Sequence, residues 1–377
     1  MLILFSAQFQ RSVNLLLSDP VFRDCVDNLS IAHRKGTHLI SGPAHVLRTL
    51  SDSLQGDAAG TFRVMRQQRF DIATFRTYLC TYVVIDPRRN GDVLQEKVGR
   101  QTLFHVPYGF FARYDSVQPV RLVCEDADDK NLLKAALKAF LFIEKGLYHG
   151  LSYALQGFGG GGSSIADQFR DQSEQGPTLA VVDSDRDYPE GNLGSTAHAA
   201  LRMEVQIGRH SVAAVEVLQV RELENMIPRS LVEMCLVQTD GAEARRRVLE
   251  LCEKNLFNGK LAVRYLDLKT GFKRRHFLEC AAQDKKRYLQ EACGSWHVAS
   301  YCASEMRCTA HGDCSCVYLQ GLGELNLLAR AAHNVDRLTP QKLSELFFAE
   351  ANGSRELWAT LARKLFAWAC ASKPLRV

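Results

Sequence analysis

The amino-acid sequence predicts an α/β protein: a mainly parallel sheet flanked by helices, with additional, mostly helical modules before and after it. Three observations carry this expectation. Between residues 118 and 240, short apolar runs alternate with stretches of helical period. Three of those runs end in acidic residues, and the carboxyl ends of parallel strands are where sites gather. Outside that window, helical periodicity dominates.

A chain of 377 residues is long enough for two or three domains, and its 46% hydrophobic residues are the share of an ordinary globular protein rather than a disordered one. A net charge of +5 permits an anionic partner without demanding one. The opening "MLILFSAQFQRSV" has no basic leader, and its apolar run is too short for a signal peptide or a membrane span. The expectation is therefore a cytoplasmic protein with no membrane partner. Its twelve cysteines are then expected as thiols or metal ligands rather than disulfides.

In chain order, "QRSVNLLLSDPVFRDCVDNL" and "GPAHVLRTLSDSLQ" space their apolar residues three and four apart and predict helices. "TYLCTYVVID" predicts a strand, followed by a turn at "PRRNGD". Residues 1–117 are thus expected to form a mostly helical module for partner binding or regulation, closed by an aromatic cluster, "PYGFFARY", packed against the next sheet. From residue 118, "PVRLVCED" is a strand and "DKNLLKAALKAFLFIEKG" a helix. "YHGLSYALQGFGGGGSSIADQFRDQ" gives a strand, a glycine turn and a second helix; "TLAVVDSDRD" and "SVAAVEVLQVRELENMIP" add further strands. Residues 241–377 are expected to be helical and basic, with a cysteine-rich insert at 293–316.

The acids fall in three groups: Glu125 with Asp126, Asp128 and Asp129; Asp183, Asp185 and Asp187; Glu222 and Glu224. Side chains alternate along a strand, so Asp183 and Asp185 share a face if that segment stays extended, as do Glu222 and Glu224. Adjacent parallel strands lie about 5 Å apart, so acids at three such ends can converge on one or two hard cations. Asp126 to Asp129 also suit a plainer role, capping the next helix.

The order strand-Glu125, helix, glycine turn, strand-Asp183-x-Asp185, Glu224-Asn225 resembles the TOPRIM domain of topoisomerases, primases and nucleases. It is most similar to the version in OLD-family nucleases and in the TOPRIM effector subunits of ATPase-coupled anti-phage systems. "EDADD" supplies Glu125 and Asp129 at the spacing of that family's Glu-Gly-x-x-Asp or Glu, with Asp126 in place of the glycine. "GFGGGGSSIADQF" is similar to the family's glycine turn, "RELENMIP" to its Glu-Asn segment and "YLDLKTG" to a downstream lysine-bearing segment. The resemblance implies a nuclease that hydrolyses phosphodiester bonds of DNA or RNA, tRNA included, with Mg²⁺ or Mn²⁺. It assigns Glu125 and Asp129 to one cation, Asp183 and Asp185 to the other, and Glu224 to a further ligand or orienting base. Glu222 and Asp187 are second-tier ligands, and Lys269 would offer positive charge to the transition state. By the same resemblance the chain is a toxic anti-phage effector. It carries no G-x-x-x-x-G-K-[ST] loop, which fits an ATPase partner supplied in trans; a homo-oligomer is compatible with this reading. The alternative is a non-catalytic TOPRIM-derived subunit that docks on the ATPase.

Other motifs carry less. "GFGGGGSS" satisfies a dinucleotide fingerprint almost by force, with five glycines in six residues from Gly157 to Gly162, and a flexible loop or a close backbone approach suits it better. Cys293, Cys302, Cys308, Cys314 and Cys316, with His297 and His311, offer donors for a structural Zn²⁺ without the usual C-x-x-C knuckles; reduced thiols are the other reading. The basic runs "KTGFKRRH" and "DKKR", interleaved with Phe272, Phe277 and Tyr288, suit either a phosphate backbone or plain solvated helix faces.

Overall fold

The opening Leu2–Phe5 forms a strand, β1, because this apolar run is buried almost completely and has no helical partner positions to fill. The computed structural model describes residues 1–159, 161, 164–237, 264–273, 283–285, 287–288, 317–320, 325–349 and 354–375. After β1 come α1 (Val13–Leu16), α2 (Pro20–Lys35), β2 (Leu39–Ser41), α3 (Ala44–Ser53), α4 (Gly56–Tyr78), β3 (Thr81–Asp86), β4 (Leu94–Val98) and β5 (Gln101–Pro107). They build a five-stranded sheet in the order β2-β1-β3-β5-β4, parallel except for the edge strand β4. The expectation of a mostly helical N-terminal module omitted this sheet. The reason is physical: β1 and β2 are four and three residues long and buried on both faces, so neither shows the alternation that marks a half-exposed strand.

The aromatic segment after β5 packs chiefly on α2 rather than on the following sheet. The Tyr108 ring meets Phe22 edge-on at 5.3 Å, its hydroxyl donates to Asp19 Oδ2 at 2.5 Å, and Asn28 Nδ2 donates to the Phe111 and Ala112 carbonyls at 3.0 and 2.9 Å.

The second sheet starts with β6 (Val120–Cys124) and continues through α5 (Ala127–Ile143), β7 (Leu151–Tyr153), β8 (Leu155–Gly159), α6 (Ile165–Gln175), β9 (Thr178–Val182), α7 (Ser195–Ile207), β10 (Ala213–Val217) and α8 (Arg229–Val237). Its four strands are all parallel, in the order β10-β9-β6-β8. The coarse expectation of a parallel sheet with helices on both faces holds. Val123, Ala180 and Val182 face α6 and α7, forming a small core with Ile165, Phe169, Ala197, Ala200 and Ala213. Their neighbours Leu122, Cys124, Leu179 and Val181 face the other way, into the large core that includes α5. The chain passes from β6 outward to β8, then returns beyond β6 to β9. Winding therefore reverses between β6 and β9, and ligands of open α/β sheets bind at the carboxyl ends of the strands flanking such a reversal.

Beyond residue 264 lie β11 (Gly271–Lys273), paired antiparallel with β12 (Val317–Gln320), then α9 (Leu327–Asp336), α10 (Pro340–Phe348), α11 (Arg355–Ala369) and β13 (Cys370–Ser372). All three of these helices pack on α5. Trp358 of α11 donates its indole N–H to the Met226 carbonyl at 2.7 Å, Trp368 meets Phe104 of β5 at 5.6 Å, and β13 pairs antiparallel with β7. One apolar cluster consequently runs from Met1 to Cys370, across the boundaries expected near residues 117 and 240. Among the described residues no helix is long and apolar enough to cross a membrane. The cysteine-rich insert 293–316 and the basic run beyond Lys273 lie outside the described residues.

Candidate functional site

At the reversal point, β6 ends at Cys124 and β9 at Val182, so Glu125 and Asp183 are the first residues past two adjacent strands. Their backbone and side chains interlock. Asp183 N donates to Glu125 Oε1 at 3.1 Å, and Leu223 N donates to Asp183 Oδ1 at 3.0 Å, which ties the third acidic segment to the first two. The glycine-rich strand end joins them, with Gly161 N donating to the Glu125 carbonyl at 3.0 Å. Gly157 serves packing: a Cβ there would lie 2.1 Å from Lys130 Cδ of α5.

Asp126 and Asp129 both do helix-capping work. Asp126 Oδ1 accepts from Asp128 N at 2.8 Å and Asp129 Oδ2 accepts from Asp126 N at 3.0 Å, a reciprocal box at the start of α5. Asp126 has φ −139°, an extended backbone that any residue adopts, so the aspartate at the position where the resembling family has glycine needs no strained turn.

The expectation that Asp183 and Asp185 share a strand face is corrected. Regular structure stops at Val182, and Asp185 has φ 53°, in the left-handed region, with its N–H on the Arg221 carbonyl at 2.9 Å. Gly194 makes room for it: a Cβ there would fall 2.1 Å from Asp185 Oδ2. Glu222 and Glu224 likewise do not lie on a strand. β10 ends at Val217, and the two acids sit at the start of a 3-10 turn, Leu223–Met226, where Glu222 N donates to Asn225 Oδ1 at 2.9 Å. Asn225 Nδ2 in turn donates to the Leu266 carbonyl at 2.8 Å and pins the segment that carries Lys269.

Lys269 does not stand free. Its Nζ lies 3.0 Å from Glu224 Oε1 and 3.3 Å from Glu222 Oε2, bridging the two carboxylates. Asp267 holds the turn in place, accepting from Lys269 N at 2.9 Å and Thr270 N at 2.8 Å. Asp187 is drawn away from the cluster: it pairs with Arg221 and with Lys285, the latter at 2.8 Å. Arg221 also approaches Glu222 at 3.6 Å and Asp267 at 3.7 Å. Arg221 and Gly194 carry no signal in the sequence beyond an arginine directly before Glu222, whereas Asn225 and Asp267 lie in the "RELENMIP" and "YLDLKTG" segments that carry the resemblance.

The electrostatics separate these groups. Burial pushes Asp183 well above the usual carboxylate range, and repulsion from Glu125, Asp129, Glu224 and Glu222 adds to it. Burial also raises Glu125 and Glu222, and it lifts Asp129 to about 7 with help from the Asp126 charge. Asp187 goes the other way: burial opposes its charge, but Lys285 and Arg221 outweigh it and hold the carboxyl low. Burial works against the Lys269 ammonium too, yet Glu224 and Glu222 keep it charged well above the ordinary lysine range.

The donor set fits a hard divalent cation in chemistry, since it is all oxygen and its carboxylates, half-buried or buried, repel one another. In arrangement it is incomplete: among the described residues no three His, Cys, Asp or Glu side chains are gathered as a metal-binding group. The positive charge nearest Glu222 and Glu224 is the ammonium of Lys269, whose side chain is 59% exposed. The described cysteines, Cys25, Cys80, Cys124, Cys235 and Cys370, are unpaired thiols; the five expected to hold zinc lie outside the described residues. Comparison of the chain with protein-family models, curated proteins and solved structures returned no match.

Proposed function

We propose that this chain is a divalent-metal-dependent nuclease with a TOPRIM-like catalytic domain at residues 118–240. The observation that carries the reading is the Glu125–Asp183 pair at the strand-order reversal, bonded to each other, with Asp183 also bonded to Leu223, and both raised in pKa by burial and by repulsion from neighbouring carboxylates. Repulsion of this kind is relieved by a cation, and Mg²⁺ or Mn²⁺ bound here would polarise a phosphodiester and activate water. Glu125 and Asp183 are the principal ligands. Asp129, Asp185, Glu222 and Glu224 surround them, and Asp187, neutralised by Arg221 and Lys285, is dropped from the set. Lys269 reaches the same carboxylates from an exposed turn, so its ammonium is positioned to turn from Glu224 to a substrate phosphate. Arg221, also beside the site, adds a second cation that never deprotonates. The substrate is DNA or RNA, and the role we infer is that of a toxic anti-phage effector acting with an ATPase partner.

One observation favours the other reading, a binding subunit without catalysis: Lys269 occupies Glu222 and Glu224, and the described carboxylates do not close a coordination shell. A cleavage assay separates the two. Purified protein is incubated with plasmid DNA, single-stranded DNA and total tRNA in Mg²⁺, Mn²⁺ or EDTA, beside Asp183→Asn. The nuclease reading expects metal-dependent cleavage that falls at least about 100-fold in the variant. Intact substrate in every lane, with the ATPase present as well, supports the binding subunit.

A further inference from the structure

A cavity of about 540 Å³ lies in the N-terminal domain, in a part of the fold that the proposed nuclease reading does not use. Its floor is one face of the first sheet. Tyr82 and Val84 are two apart on β3, and their register partners Leu103 and Leu4 lie beside them, so all four project to the same side. The opposite face, carrying Phe104, is already covered by Trp368 of α11. Helix α4 roofs the floor and contributes Arg69, Arg76 and Phe70, the last 66% exposed at the rim.

Two features turn this crevice from an apolar gap into a site. First, no acidic residue lines it, and among the described residues neither Arg69 nor Arg76 makes an ion pair; Arg69 only stacks on Phe70, 3.9 Å from the ring centre. Second, it opens at the carboxyl ends of β1 and β2, and the lining residues Gly42 and Pro43 lead into α3, a ten-residue helix whose start has no side-chain cap. Amides at such a start are hydrogen-bond donors with partial positive charge.

We propose that this crevice binds a small phosphorylated ring compound of the nucleotide class. The flat apolar floor and Phe70 take the ring. Arg69, Arg76 and the start of α3 take the phosphate, because two guanidiniums and a helix start suit a dianion with several acceptor oxygens better than a single carboxylate. The volume falls within the roughly 300–1,000 Å³ of small-molecule pockets.

The test is isothermal titration of the full chain in EDTA with adenosine and guanosine mono- and triphosphates, the parent nucleosides and inorganic phosphate. The proposal expects saturable binding of at least one nucleotide, with its nucleoside and free phosphate each weaker by about tenfold or more. The double variant Arg69→Ala, Arg76→Ala should lose about tenfold or more while its thermal midpoint stays unchanged, and Phe70→Ala should weaken the same ligand. Absence of binding by every nucleotide overturns the proposal, as does equal binding by nucleoside and nucleotide. Binding untouched by the arginine pair but abolished by Asp183→Asn would place the ligand in the carboxylate site and equally overturn it.

Discussion

Asp183 carries more opposed electrostatics than any other described side chain at the site, and the consequences are measurable one residue at a time. Its carboxylate is pressed by burial and by four neighbouring acids, while Oδ1 accepts from Leu223 N. Asparagine keeps the acceptor and removes the charge. Asp183→Asn should therefore raise the metal-free thermal midpoint by about 2 °C, the shift that ~1 kcal/mol gives in a large domain, while the proposed nuclease activity disappears. Dependence on pH follows from the same groups. Asp183, Glu125, Glu222 and Asp129, the last near 7, bind protons more tightly folded than unfolded, so stability is greatest where they are protonated. In EDTA the melting temperature, taken relative to that of Asp183→Asn so that the opposite contributions of buried His33, His38 and the N-terminus cancel, should fall as pH rises above the usual carboxylate range, and saturating Mg²⁺ should flatten that decline. A difference between wild type and Asp183→Asn that rises with pH in EDTA would contradict the assignment. Much of this site was legible as residue types and order: Glu125 and Asp183 do sit at adjacent strand ends. What was not legible was which acids were already engaged, because Asp187's ion pairs with Arg221 and Lys285 span 34 and 98 residues of sequence.

At the level of elements, the segments legible in the sequence are those with an unambiguous period. Helix α5 and the fully buried strands β6 and β9 declare themselves by composition and length. The turns after strands are not legible by period, because alternation means nothing past the point where hydrogen bonding stops: β9 ends one residue before Asp183 and β10 five before Glu222. Those turns depend on close packing instead. Gly194→Ala would drive a methyl into the Asp185 carboxylate and should cost about 1–3 kcal/mol, with activity falling in step; urea denaturation and the cleavage assay measure the two effects. Helix α11 offers the complementary case. Trp358 is fully buried, stacks edge-on with Phe347 at 4.8 Å and bonds the Met226 carbonyl just past Glu224. Trp358→Ala should cost ~3–5 kcal/mol, whereas Trp358→Phe should lose less, mainly the ~1 kcal/mol of the hydrogen bond.

For the whole molecule, the apolar cluster running from Met1 to Cys370 means that the segments expected as separate modules are buried against one another. Expressed alone, residues 118–240 would expose the outer face of α5 and the β7 edge that β13 normally covers. That fragment should bind a hydrophobic dye and show no cooperative melting, while the full chain melts cooperatively; a sharp transition in the fragment would refute the shared core. The pairing of β13 with β7 and the packing of α11 on α5 also set a timetable. During synthesis, the acidic strand ends leave the ribosome long before residues 355–372, a delay on the order of ten seconds at ordinary elongation rates. Throughout that interval the nascent chain holds every proposed ligand from Glu125 to Glu224 without the helix that braces Met226. On the proposed reading, a producing cell would meet a site braced by α11 only after translation has passed Ala369, a built-in delay for a hydrolase whose substrate would surround it from the start.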